Sequence, residues 1–465
     1  MQRRDLLKTL VATTLATSAP SLSLLASPSS TGASASKKKV YPWKNWSGNQ
    51  VCYPQNTYAP SSIDALQEVL RESSGRVRMV GAGHSFSELV PTNDTLLAMR
   101  RLNGVRSVDE PKKTATFYAG TTLGETGPIL ADHGLGLFNM PDVDHQTLAG
   151  AISTATHGTG RSLGSLSSYV ESLTLVTASG DEVRCNANEN SDLFSAAQVG
   201  LGTLGVISDV TLKGMDAYKL KRHGFWLPVE EVMAASDPLS KDNRHFEFFY
   251  FPFTGMTLVD TLNITTDAIE SHEELDGNSG IMDLKMARDY LSWSPKLREL
   301  IVGGYLKTQV SMERVDHSYA IYANDRNVRF NEMEYHLPIE TGMSALREVI
   351  TKIEKDFPEV FFPIECRYIK AESAWLSPFY ERDAISIAVH RYFEEDFLAM
   401  FAAIEVILQK HGGRPHWGKI NTFTAAQCRE AYPKWQDFLD IRQQYDPKGK
   451  FLNPYLEKLF APKEA

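Results

Sequence analysis

A mixed helix-and-sheet chain of two domains is what this sequence predicts, on three observations. Its 465 residues, 42% hydrophobic and 23% charged, have ordinary globular composition and are numerous enough for two cores. Apolar stripes at helical spacing are interspersed with short β-branched and aromatic runs. A break in the pattern near Lys213 to Asp216 marks an edge between two such regions.

The N-terminus reads as a leader. Arg3 and Arg4 precede an apolar run from Leu10 to Leu25, the twin-arginine pattern. That run is too short and too rich in Ser and Thr to span a membrane. Ala33-Ser34-Ala35 offers a small-residue cleavage site, so residues 1–35 are expected to be a twin-arginine signal peptide. Export to the periplasm by the twin-arginine machinery, folded and loaded, is the expectation; a disordered basic tail is the alternative. Net charge is −9, of which the first 39 residues contribute six Lys/Arg and one Asp, so the body is more acidic still. An acidic body argues against nucleic acid and against an anionic membrane surface. Cys52, Cys185, Cys366 and Cys428 have no metal-site spacing, and whether any of them pair stays open.

The first helix is expected to follow Ala59-Pro60, with Ser61 and Asp64 as a capping box, Ile63, Leu66, Val69 and Leu70 as its stripe, and Gly75 as its end. Val77 to Val80 then reads as a buried strand running into Gly81-Ala82-Gly83-His84-Ser85-Phe86-Ser87. Glycines there let the backbone turn and approach a ligand closely, successive N–H groups suit a pyrophosphate, and the serines add donors. The nicotinamide (Rossmann) fingerprint is disfavoured, because Phe86 replaces its third glycine and Pro91 follows soon after. A plain tight turn is the bland reading.

Thr114 to Gly120 alternates as a strand, and Leu123 to His133 reads as a helix. Thr147 to Gly160 is a run of small residues that lets a flat ligand lie against backbone; a flexible linker is its alternative, opposed by Leu148 and Ile152 at core spacing and by His157. Val170–Thr177 and Glu182–Cys185 form a hairpin, a helix starts near Asp192, and Gly200 to Gly205 turns into a strand ending near Leu212. Beyond the edge, Phe246–Phe251 and Arg329–Tyr335 read as strands and Ile339–Asp356 as a helix. On the strand Phe361–Ile369, Glu365 and Arg367 point the same way, a clamp for sugar hydroxyls or, more commonly, a surface ion pair. His390 lies on the strand Ala388–Phe393. Pro415-His416-Trp417-Gly418-Lys419 puts an imidazole, an indole and an amine on one loop.

Four pieces in this order, Gly81–Ser87, Gly150–Gly158, Gly202–Ile207 and Pro415–Lys419, resemble the FAD-dependent vanillyl-alcohol-oxidase-type flavoproteins, in their aldonolactone oxidase and alditol oxidase branch. The Glu-x-Arg strand followed by Trp375-Leu376-Ser377-Pro378, and Met333-Glu334-Tyr335 before Pro338, narrow it to that branch. The resemblance implies an α+β fold: a two-part FAD domain over 44–215, a substrate domain over 216–412 with an antiparallel sheet covering the flavin, and a segment 413–460 completing the flavin site. It implies FAD joined covalently to His84, with Gly81, Ala82, Gly83, Ser85, Phe86, Ser87, Thr147, Gly150, Ala151, Ile152, Ser153, Ile207 and His416 around it. Glu365, Arg367 and Lys419 take the catalytic positions, Asp142 and His390 further substrate contacts, and Pro141 a position governing oxygen access. The activity implied is oxidation of a CH–OH group of a sugar lactone or alditol, with hydride passing to flavin N5 and oxygen as acceptor. A quinone- or cytochrome-linked dehydrogenase of another alcohol, and a periplasmic sugar-binding protein, are the alternatives.

Overall fold

The computed structural model describes residues 41–269, 277–323 and 327–461. The described residues form one compact unit. The expected signal peptide, residues 1–35, lies outside the described residues.

Near the start, the strand Val77–Val80 pairs in parallel with Thr95–Ala98, which pairs in parallel with Asn56–Tyr58. The helix Ile63–Glu72 precedes it and buries Leu66 and Leu70. Its cap is Ser62, not Ser61: Ser62 takes the extended backbone conformation, and its hydroxyl accepts from the Ala65 N–H at 3.2 Å. The helix also stops at Ser73, whose N–H returns to the Val69 carbonyl, two residues before Gly75.

A five-stranded antiparallel sheet follows, in the order Glu182–Asn186, Val170–Val176, Val206–Lys213, Thr114–Tyr118, Val105–Asp109. The helix Leu123–Asp132 begins on a capping box made by Thr122 and Glu125. The small-residue run is not a linker. It forms the helix Leu148–Ser153, with Leu148, Ala151 and Ile152 buried in the core.

The rest is built on an eight-stranded antiparallel sheet. Its order is Met312–His317, Lys219–Pro228, Met256–Thr265, His245–Phe251, Ile364–Ile369, Ala384–Tyr392, Phe330–Pro338, Arg414–Pro415. The expected strands are present, though Ile364–Ile369 starts only after Pro363. Four further strands, Lys219–Pro228, Met256–Thr265, Met312–His317 and the two-residue Arg414–Pro415, were not legible. In Lys219–Pro228 most positions are half-buried on both faces, which removes the alternation that marks a strand. The helix Ile339–Asp356 packs on the face that carries Ile385, where a Cβ on Gly342 would meet Ile385 at 2.7 Å. Ser386 points to the opposite face. Across neighbouring strands it lines up with Arg367, Glu247 and Asp260 on one side and His336 on the other. This sheet therefore has one apolar face and one charged face.

The last helices, Ala425–Ala431, Trp435–Tyr445 and Pro454–Leu459, enclose a stack of Trp417, Tyr432 and Trp435. All four cysteines are buried and free.

One buried side chain joins distant parts of the chain. Arg78 donates to the carbonyls of Leu89 (2.8 Å), Leu201 (2.9 Å), Gly202 (2.8 Å) and Phe451 (2.5 Å). Burial pulls its pKa down to about 9, against the attraction of Asp446. Arg78→Met leaves four buried acceptors without that donor, so it should cost roughly 3 kcal/mol or more. Chemical denaturation of the folded protein measures this, and Arg78→Lys should recover only part, because an ammonium cannot reach all four carbonyls.

Candidate functional site

Four separate segments line one cavity: the turn Gly81–Ser85, residues from Gln146 to Thr156, the turn Leu201–Ile207, and His416 with Gly418 and Lys419. The first turn needs its glycines. A Cβ on Gly81 would lie 1.9 Å from the Thr147 hydroxyl, and Gly83 sits at φ +71°. The outer two segments also meet: Phe86 donates its N–H to the Gly418 carbonyl at 2.7 Å, and the Ser87 hydroxyl donates to the Trp417 carbonyl at 2.7 Å.

The cavity wall includes Gly81, Ala82, Gly83, His84, Ser85, Thr147, Gly150, Ala151, Ser153, Ile207, His416 and Lys419. Three other residues singled out as cofactor contacts lie elsewhere. Phe86 packs on Trp46 and Phe330, Ser87 is turned to Trp417, and Ile152 is sealed in the core. Phe86 and Ser87 belong to the site only through the loops they fix.

His84 stacks on Trp46, with ring centres 5.3 Å apart and 24° between planes. Burial first, then the charges of His145 and Lys419, push its pKa down to about 4. At neutral pH the ring is therefore uncharged and keeps a nucleophilic lone pair.

The charged sheet face lies beside this cavity. Arg367 pairs with Glu365, donates Nε–H to Glu247 at 2.8 Å, and has Asp142 at 3.4 Å. Arg367, Glu365 and Glu247 are all buried, so the surface ion-pair reading fails. Burial works against the guanidinium charge, but Glu365, Asp142 and Glu247 outweigh it and hold the pKa above its usual value. Lys419 lies 2.5 Å from Glu332 and 3.9 Å from Glu334. Burial opposes its charge as well, and Glu332 followed by Glu334 raises its pKa nonetheless. His390 shares the same carboxylate: its Nε2 is 3.6 Å from Glu332, and its Nδ1 lies 3.2 Å from the Pro363 carbonyl.

His157, Glu334 and His336 bring one ligand atom each within 4.8 Å of one another. His157 and Glu334 use theirs on each other, at 3.0 Å, and so form a hydrogen-bonded pair. Sequence reasoning missed Glu247 and Glu332. The signal for Glu247 was a lone carboxylate between Phe246 and Phe248 on a strand; Glu332 and Glu334, two apart on one strand, had to face the same way.

The FAD expected from the resemblance fits these residues. Gly81 closes directly onto Thr147 with no room for a side chain, so backbone forms that wall, and an uncharged imidazole and a charged amine border the same cavity. Comparison with known proteins agrees. Residues 210–459 match the family described as D-arabinono-1,4-lactone oxidase, and residues 54–186 match the family described as FAD binding domain. An L-gulono-1,4-lactone dehydrogenase of Mycobacterium tuberculosis is 37% identical over 431 residues, covering 90% of this chain and 99% of its own. An L-gulonolactone oxidase of Mus musculus is 32% identical over 436 residues, covering 90% and 98%. An alditol oxidase of a Streptomyces species is 29% identical over 426 residues, covering 89% and 98%. A solved cholesterol oxidase from Brevibacterium sterolicum shares the fold, with a TM-score of 0.75 at 17% identity over 90% of this chain and 96% of that one. With its cavity and charged sheet face in place, and with relatives matched along nearly their whole length, the chain belongs to the D-arabinono-1,4-lactone oxidase family of FAD-dependent oxidoreductases.

Proposed function

We propose that this protein oxidises a CH–OH carbon of a sugar lactone or alditol, using FAD held covalently by His84, with dioxygen as acceptor. The observation that carries the substrate class is the buried group Glu365, Arg367 and Glu247, with half-buried Asp142 beside it. A dense set of carboxylates around one guanidinium is costly to bury without a ligand that uses it. Polyhydroxylated substrates offer matching donors and acceptors. Names among the relatives, L-gulono-1,4-lactone dehydrogenase, L-gulonolactone oxidase and alditol oxidase, point to the same class. A quinone or a cytochrome is the second reading for the acceptor, in keeping with the relative named a dehydrogenase.

FAD, when bound, supplies the hydride acceptor at N5. The side chains do the rest. Glu365 accepts from substrate hydroxyls and orients Arg367. Arg367 and Lys419 set positive charge near the oxygen that becomes negative as its proton leaves. Lys419, held protonated by Glu332, is a poor proton acceptor at neutral pH, which leaves His390 for that role. The reading also includes export to the periplasm, supported by the paired arginines and the apolar run that follows them.

Two outcomes test this. Glu365→Ala should lower turnover of sugar lactones or alditols at least about 100-fold while the flavin absorbance per protein is unchanged. Normal turnover in that variant removes Glu365 from the site. Acid precipitation should leave the yellow colour with the wild-type pellet and release it to the supernatant from His84→Ala. Peroxide production in air, against reduction of a quinone analogue without air, assigns the acceptor.

A further inference from the structure

Two side chains bear on proton transfer in the reading above, Lys419 and His390, and a single carboxylate lies between them. Glu332 sits on the strand Phe330–Pro338 with its Oε2 2.5 Å from Lys419 Nζ and its Oε1 3.6 Å from His390 Nε2. It is 5% exposed. The arrangement is fixed by backbone on both sides. Glu332 and His390 are direct partners across neighbouring strands. The Lys419 loop docks on the same strand through the His416 N–H to the Glu334 carbonyl and the Ile420 N–H to the Glu332 carbonyl, both at 3.0 Å. Lys419 is thereby held against these two carboxylates.

The two carboxylates are not equivalent. Glu334 Oε1 is taken by His157 at 3.0 Å and by the Ser386 hydroxyl, and its Oε2 is 3.9 Å from Lys419. The charge of Glu334 is therefore shared with a histidine on another loop. Glu332 contacts Lys419 and His390.

We propose that Glu332 is a positioning residue for the oxidation: it shares one carboxylate between Lys419 and His390, fixing the first as a cation and favouring the imidazolium formed when the second takes the substrate hydroxyl proton. The inference rests on the proposed function and deepens it. In the step, the substrate O–H bond breaks and an N–H bond forms at His390 Nε2. Bound FAD would supply the acceptor for the hydride from the same carbon, which becomes a carbonyl. Glu332 stays ionised throughout; its negative charge offsets the positive charge that appears on His390. The orientation is the reverse of a catalytic triad, where the carboxylate faces the nitrogen away from the substrate; here the Pro363 carbonyl occupies that place.

The charged and titratable groups around this pair are Glu334 on the same strand with its partner His157, His390 on the next strand, His416 on the Lys419 loop, and Asp142; Arg391 turns to the other face, toward Glu359 and Glu395. Among those acting on Lys419, Glu332 is the first that raises its pKa against burial. The sign follows. With Glu332 neutralised, the first of the charges that oppose burial is gone, and Lys419 loses its proton at lower pH.

The test compares wild type, Glu332→Gln and Glu332→Asp as flavin-loaded enzymes. For Gln, kcat should fall about 100-fold with KM changed less than about threefold, since the lost interaction matters in the transition state. The basic limb of kcat/KM should move down by about one pH unit or more. Asp, which keeps the charge, should restore most of both. A readout independent of turnover is the pH midpoint for reductive methylation of Lys419, followed by peptide mass spectrometry, which should move down by the same amount in Gln. An unmoved methylation midpoint overturns the proposal. So does a Gln variant whose loss lies in KM or in flavin content, or an Asp variant that recovers nothing. If wild type turns over no lactone or alditol, the proposed function fails, whereas the methylation midpoint still decides whether Glu332 holds the charge of Lys419.

Discussion

The cavity of this flavoprotein has no continuous wall; it depends on a single buried guanidinium. Arg78 belongs to the strand that feeds the Gly81–Gly83 turn. Its hydrogen bonds reach the carbonyls of Leu201 and Gly202 in the second glycine-rich turn, and Phe451 near the C-terminus. Leu201 and Gly202 both sit at positive φ, 53° and 64°, which for a leucine costs roughly 1 kcal/mol. The arginine offsets that strain by satisfying both carbonyls the turn exposes. The C-terminal anchor is prepared separately. Asp446, fully buried, accepts the N–H groups of Lys450 and Phe451 and so aims the Phe451 carbonyl at Arg78. Two turns far apart in sequence are thus set against each other before any ligand arrives.

The opposing wall has the contrary problem, too much charge in too little water. Asp142, Glu247, Glu332, Glu334 and Glu365 face Arg367, Lys419 and His157. Desolvating so many ions is not a route to stability, and apolar replacements would pack with less penalty. What the arrangement supplies is fixed charge that need not reorganise during a reaction. Its regularity comes from the sheet. Glu247, Arg367 and Ser386 are direct cross-strand neighbours, as are Glu332 and His390, so the ladder register alone sets which charges touch.

What was legible in the sequence follows from the range of each signal. The Gly81–Gly83 turn, the strand before it, and the shared side of Glu365 and Arg367 are local matters of φ and of period two, and local patterns reported them. The helix Ile339–Asp356 was legible to its end residues because its stripe runs for eighteen residues. The Ser61 cap failed by one position because two adjacent serines compete and only backbone geometry chooses between them. The resemblance implied Phe86, Ser87 and Ile152 as cofactor contacts, but consecutive residues in a turn or helix point in different directions, and the side chains of these three face Trp46, Trp417 and the core. For Glu247 and Glu332 the strand pattern gave the side but not the partners, which lie tens to hundreds of residues away, and the Leu201, Gly202 and Phe451 acceptors of Arg78 are more than a hundred residues off.

One loop reconciles the two walls. His416 to Ile420 is held on the cofactor side by Phe86 and Ser87, which donate to the Gly418 and Trp417 carbonyls. On the sheet side it is held by the carbonyls of Glu332 and Glu334. Trp417, fully buried, pins its middle through an indole N–H donated to the Leu376 carbonyl at 2.6 Å. Any shift of the sheet relative to the glycine turn must break backbone hydrogen bonds on one side of this loop. Lys419 therefore sits where the separation of the two walls is set. That explains why a flexible side chain, usually left in solvent, is here confined between two carboxylates and the Phe86 ring, 5.2 Å away.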